Sequence, residues 1–141
     1  EYYGRGEHEN LCDFNVQSPV GLYKSTVTEM HEDYIRPQDN GNHGGTKRLV
    51  LTDANGDGVA VVGLPKFSFS VHDYTQALLS EAKHREDLRA QNTTFLSIDG
   101  FMRGAGSNAC GPDALEQYRF TFRDEIEFKF AVQPVNRKKA K

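Results

Sequence analysis

Hydrophobic and polar residues alternate with a period of two over much of this 141-residue chain. Phe67, Phe69 and Val71 alternate with Ser68 and Ser70, and Phe95, Leu96 and Ile98 mark another short run. Tyr118, Phe120 and Phe122 alternate with Arg119, Thr121 and Arg123, while Ile126, Phe128, Phe130 and Val132 alternate with Glu127, Lys129 and Ala131. Side chains along a strand point to opposite faces in turn, so the last two runs predict half-buried strands, joined at Asp124-Glu125, whose aromatic rows face a core. Leu49 and Leu51, then Val59, Val61 and Val62, flank the stretch from Asp53 to Gly58. That pattern predicts a hairpin with asparagine and glycine supplying positive φ. One segment changes period: Tyr74, Ala77, Leu78 and Ala82 recur at helical spacing between Asp73 and Leu88. A short surface helix capped by Asp73 is expected there. The glycine- and asparagine-rich stretch from Gln38 to Thr46 reads as a long polar loop. The fold class is therefore mainly β and antiparallel, with one short helix. No repeat or linker divides it, so residues 1–136 read as one domain and 137–141 as a disordered basic tail.

Composition narrows the function classes. The length suffices for one core but is too short for a (β/α)₈ barrel. No apolar run approaches the ~20 residues of a membrane-spanning helix, so no membrane partner is expected. The net charge of −3 hides an asymmetry, because Arg137, Lys138, Lys139 and Lys141 supply four of the 17 cations. The body keeps 13 cations against 20 acids, and an acidic body argues against nucleic acid as a partner. The chain starts at Glu1 without a methionine or a basic-then-apolar leader, and the expectation is a piece cut from something longer, whose compartment its own residues leave unread.

The most distinctive local chemistry is the stretch from Gly104 to Pro112, Gly-Ala-Gly-Ser-Asn-Ala-Cys-Gly-Pro, between two strand-like runs. Such a loop can bring backbone amides and small side chains against a ligand; it can equally be a wide connection. Other motifs carry less. Asp53-Ala54-Asn55-Gly56-Asp57-Gly58 opens like a calcium loop, but the twelfth position, which needs a bidentate glutamate, is Leu64, so a plain turn is expected. His8-Glu9 lacks the second histidine of a zinc helix, since position 12 is Cys12, and the five histidines show no ligand spacing. No metal and no cofactor are expected. Cys12 and Cys110 form no CxxC pattern; one bridge or two free thiols both fit the sequence. Asn92-Thr93-Thr94 fits a glycosylation sequon, a weak signal.

Three ordered motifs resemble one family. The segment from Tyr3 to Asn10, followed by Asp13, is similar to the "GxGPxENYPDR" signature in the C-terminal domain of family 2 β-galactosidases. The segment from Tyr34 to Asn42 resembles that domain's "YxxPxENGxR", and Leu96 to Phe101 its "LNIDGF" strand. The glycine-rich loop follows at the family's position. The resemblance covers nearly all of residues 1–133 and implies the second half of an antiparallel, galactose-mutarotase-like β-supersandwich, the β-galactosidase small chain. The compartment stays unknown, with the cytoplasm or periplasm of a bacterium as the options. Retaining glycosidases need two carboxylates about 5 Å apart, and the family carries them on a barrel outside this segment. The resemblance therefore implies a catalytically silent domain of a lactose-cleaving parent, with the barrel and the other half of the sandwich as partners and a homodimer when these are missing.

Carried over, the pocket wall is Gly104–Pro112, with Gly106, Ser107, Asn108 and Cys110 as the residues that would meet a β-galactoside. Many members have a tryptophan where this chain has Cys110, and a thiol offers no comparable stacking platform. Glu7, Leu11, Cys12 and Phe14 also depart from the first motif. Arg5, Glu9, Asn10 and Asp13 are assigned to a buried polar network anchoring the edge of the sheet. Two other functions stay open: an independent carbohydrate-binding or mutarotase-like module, for which His72 with Glu81 or His8 with Glu9 are the nearest acid and base, and a purely structural domain.

Overall fold

A computed structural model describes residues 1–106, 111–120 and 127–136. Strands β1 (Tyr2–Arg5), β2 (Val20–Tyr23), β3 (His43–Thr52), β4 (Gly58–His72), β5 (Phe95–Asp99) and β6 (Lys129–Val135) form a single antiparallel sheet. Its order is β2-β1-β3-β4-β5, and β6 also pairs with β4. The long β4 organises the whole: β3 runs along one edge, while β6 covers Gly58–Leu64 and β5 covers Ser68–His72 on the other. Pro65, which has no N–H to give, falls in the gap between these two partners, where the pairing with β3 also slips.

The core is built from cross-strand neighbours. Tyr2 lies opposite Leu49, and Leu49 opposite Val61, and all three are buried. Phe67, Phe69 and Val71 continue that core along β4, with Phe69 packed edge-on to Tyr2 at 5.3 Å and stacked on the His43 ring at 5.3 Å. Val27 and Met30, from the segment around a 3₁₀ turn at Thr28–Met30, pack against the same cluster.

Several expectations are corrected. β3 starts at His43, inside the stretch read as polar loop, because a register shift between His43 and Thr46 takes up Gly44 and Gly45. In the hairpin, Gly56 has φ +84° and Asn55 does not have positive φ; instead Asp53 Oδ1 accepts the N–H of Asn55 at 2.8 Å and of Asp57 at 3.0 Å. The helix α1 is only Gln76–Glu81, and its cap is Thr75, whose Oγ1 accepts the Leu78 N–H at 3.0 Å. Its buried contact is Leu79, with Ala77 exposed. Tyr118 ends a 3₁₀ turn at Glu116–Tyr118, Arg119 and Phe120 belong to no strand, and residues 121–126 with the Asp124-Glu125 turn lie outside the described residues. β6 forms, yet its apolar row is not in the core: Phe128, Phe130 and Val132 are 39%, 40% and 55% exposed. Val132 lies opposite the buried Val61, so it shares the core side of the sheet, yet it remains more than half exposed.

Candidate functional site

The glycine-rich loop begins where β5 ends, and its described flanks are clamped. Asp13 Oδ2 accepts the Gly106 N–H at 2.7 Å, and Gly104 lies so close to Asp13 that an added Cβ would meet its carboxyl carbon at 2.7 Å. Gly106 has φ +61°, and a Cβ there would meet the Ala114 nitrogen at 2.4 Å, so both glycines are needed for this path. Across the loop base, Arg103 Nη2 donates to both carboxylate oxygens of Asp113, and Arg119 Nε approaches Asp113 Oδ2 at 3.3 Å and donates to the Ala114 carbonyl at 2.6 Å. The Gly104 N–H donates to the Tyr118 carbonyl at 3.1 Å, and the Cys12 thiol approaches the same oxygen at 3.7 Å. Burial and the neighbouring Asp13 push the Cys12 thiol pKa up, which makes it a protonated donor and not a reactive thiolate. It is free. Ser107, Asn108 and Cys110, the predicted sugar contacts, lie outside the described residues.

The other predicted residues fall into two adjoining groups. Asn10 is 1% exposed, with its N–H on the Asn42 carbonyl at 2.8 Å, Nδ2 on the Arg5 and His8 carbonyls, and Oδ1 accepting from the Gly44 N–H at 3.1 Å. Asn42 Nδ2 returns a bond to the Asn10 carbonyl at 2.7 Å. Glu9 accepts from the Tyr34 hydroxyl at 2.6 Å and from the Gly41 N–H, and this bond with burial raises the Tyr34 pKa. Arg5 binds the carbonyls of Asn15 and Ser18 in its own loop, at 3.1 and 3.0 Å. Glu9 and Asn10 thus tie the first loop to residues 40–44, whereas Asp13 ties it to the glycine-rich loop. Arg5 ends β1, which lies between β2 and β3, while Glu9, Asn10 and Asp13 lie in the connection from β1 to the edge strand β2.

Sequence reasoning passed over His43. It is 2% exposed and turns Nδ1 to the Gly41 carbonyl at 2.8 Å and Nε2 to the Glu7 carbonyl at 3.3 Å. Burial lowers its pKa against the pull of those carbonyls. A second cluster joins Asp33, His31, Tyr74 and Asn40: His31 Nε2 is 3.1 Å from Asp33 Oδ1, and His31 Nδ1 is 2.7 Å from the Tyr74 hydroxyl, which also receives Asn40 Nδ2 at 3.2 Å. His72 stacks on Tyr74 with Nε2 on the Asn40 carbonyl at 3.1 Å. The proposed acid and base pairs do not meet: no ion pair joins His72 to Glu81 or His8 to Glu9, and Glu9 is already engaged. The only advance signal for these contacts was the density of Asn, Gly and His between 40 and 45.

Two cavities lie side by side over this polar region. The first, of about 270 Å³, runs from Arg5 and Cys12 to Lys66, Ser68 and Phe101. The second, of about 310 Å³, is flanked by Glu9, Asp39 and Asp99 and floored by Ser70 and Ser97. Leu11, Asn42 and Met102 belong to both.

A family model described as the β-galactosidase small chain matches residues 1–132. The chain belongs to this family. Relatives named β-galactosidase include those of Actinobacillus pleuropneumoniae, 39% identical over 129 residues, and Staphylococcus xylosus, 36% identical over 133 residues. That of Kluyveromyces lactis is 35% identical over 136 residues. The matches cover 92%, 94% and 94% of this chain but only 12%, 13% and 13% of those relatives, so the chain spans about an eighth of their length. The six-stranded antiparallel sheet with one short helix is that of a β-sandwich fragment.

Proposed function

We propose that this chain is a noncatalytic domain of a family 2 β-galactosidase, whose longer polypeptide hydrolyses terminal β-D-galactosides such as lactose, and that residues 104–112 form one wall of its substrate pocket. The reading rests on membership of the small-chain family and, above all, on the clamped loop. Asp13, Asp113, Arg103 and Arg119 fix the described flanks of this loop, which lowers the ordering cost that fully free flanks would add on binding. The tip then offers Gly106, Ser107, Asn108 and Cys110 to sugar hydroxyls, while the catalytic carboxylates come from elsewhere in the parent. Arg5, Glu9, Asn10 and Asp13 serve as scaffold. The catalytic barrel and the other half of the sandwich are the partners, and a homodimer substitutes for them in the isolated chain. A scaffold-only role is the second reading, favoured by the fact that the described flanks spend their polar groups on one another. Titration of the isotope-labelled chain with galactose, with glucose as control, separates the two. Amide shifts selective for galactose and centred on Gly104–Pro112 are expected. Equal shifts with glucose remove galactose selectivity from this loop; none with either sugar means that the domain is scaffold, or that its wall of the pocket works only when the barrel supplies the other side.

A further inference from the structure

The cavity between Asp39 and Asp99 has a chemistry that the loop does not share. Ser70 and Ser97 face each other across β4 and β5 on the side opposite Phe69 and Val71, and Asp99 pairs with Ser68 one step along. Asp39 and Asp99 have no hydrogen-bond or ion-pair partner among the described residues, and no lysine, arginine or histidine lines the cavity. One buried group points the same way. Asn42 is 5% exposed with Oδ1 buried and unpartnered, its Nδ2 being fixed on Asn10. An unpartnered buried oxygen is costly, and here it lies beside two unneutralised carboxylates and the Ser70 and Ser97 side chains. Burial, with Asp39 nearby, raises the Asp99 pKa, the response of a carboxylate that lacks a counter-charge.

We propose that this cavity receives the guanidinium group of an arginine presented by protein outside this chain. The free groups accept hydrogen bonds, which calls for a ligand rich in donors and positive; a guanidinium carries five N–H donors in a planar fork. Leu11 and Met102 give the cavity an apolar flank for the methylene stem, and its volume of about 310 Å³ exceeds what a bare ion needs. No three carboxylate, imidazole or thiol groups among the described residues converge as a metal site. The assignment to protein outside this chain rests on reading the chain as one domain of a longer polypeptide.

The test is a titration of the labelled 141-residue chain with N-acetyl-arginine methylamide, with the lysine analogue, galactose and calcium chloride as parallel arms. Saturable shifts at Gln76, Ser97, Asp99 and Met102 are expected with the arginine probe, weaker with lysine and weakened again by salt. Asp39→Asn and Asp99→Asn should each raise the probe's Kd at least tenfold while keeping wild-type amide dispersion. No saturation with the arginine probe below ~50 mM, where binding is worth under 2 kcal/mol, or stronger binding of calcium or galactose at these residues, overturns the proposal. Failure of the galactose arm at the 104–112 loop would instead bear on the sugar-wall reading, so the two are separately decidable.

Discussion

Gly106 concentrates the residue-scale argument. Its φ of +61° lies where a side chain is strained, and its N–H is the one that Asp13 holds. Gly106→Ala should cost about 1–3 kcal/mol, combining αL strain with displacement of the Ala114 backbone, and should shift the Gly104 amide as the loop lifts from Asp13. Ala105→Gly, one position away, is the control. Urea midpoints and amide spectra of both variants check this; an unaltered Gly106→Ala protein would show that the clamp does not hold the loop. Glycine density made the loop legible in the sequence. Its anchor was half legible: Asp13 was picked out as a network member, but nothing local connects it to a residue 93 positions away.

At the scale of elements, alternation found β4, β5 and β6, predicted a strand from Tyr118 where the described residues form a 3₁₀ turn and no strand, and failed on what covers the sheet. β6 was foreseen from Phe128, Phe130 and Val132, and it pairs with β4 from Gly58 to Leu64, but that row is open to solvent. The Phe128 and Phe130 rings stack on each other at 5.7 Å and stay 39% and 40% exposed. A period of two reports which residues share a face; it does not report whether a second layer exists to bury that face. An exposed aromatic strand of this kind favours self-association. Sedimentation of the isolated chain should show a concentration-dependent shift towards dimer, and the double variant Phe130→Ser, Val132→Ser should return it to monomer. A wild-type monomer at high concentration would contradict the homodimer reading. The helix shows the converse limit, since its spacing was legible but Thr75 supplies the cap, a choice between adjacent cap-forming residues that propensity alone does not make.

At the scale of the whole molecule, two buried histidines set the response to acid. Burial is the leading cause lowering the pKa of both His43 and His72. The unfolded chain, with ordinary imidazoles near pH 6.5, then binds more protons than the folded one. Stability from these groups is present above about pH 6.5 and is lost as pH falls below it. Asp99, with its pKa raised, acts in the opposite sense but nearer the ordinary carboxylate range around pH 4. Urea midpoints should therefore fall between pH 7 and 5, and His43→Gln should flatten that fall; a pH-independent midpoint over this range would exclude the histidines as its cause. The sequence by itself determined the β class, the hairpin, β5 and the glycine-rich loop, because alternation, turn chemistry and glycine content act within a few residues. It also determined family membership, through motifs that keep their order along the chain. Only the tertiary structure decided that β4 is shared by three strands, that Asp13 holds the loop, and that Asp39 meets Asp99 across a polar cavity. The β5 and β6 pairings of β4, the Asp13–Gly106 bond and the approach of Asp39 to Asp99 join residues 23 to 93 positions apart, whose register is fixed by burial of the whole sheet and is written in no local stretch.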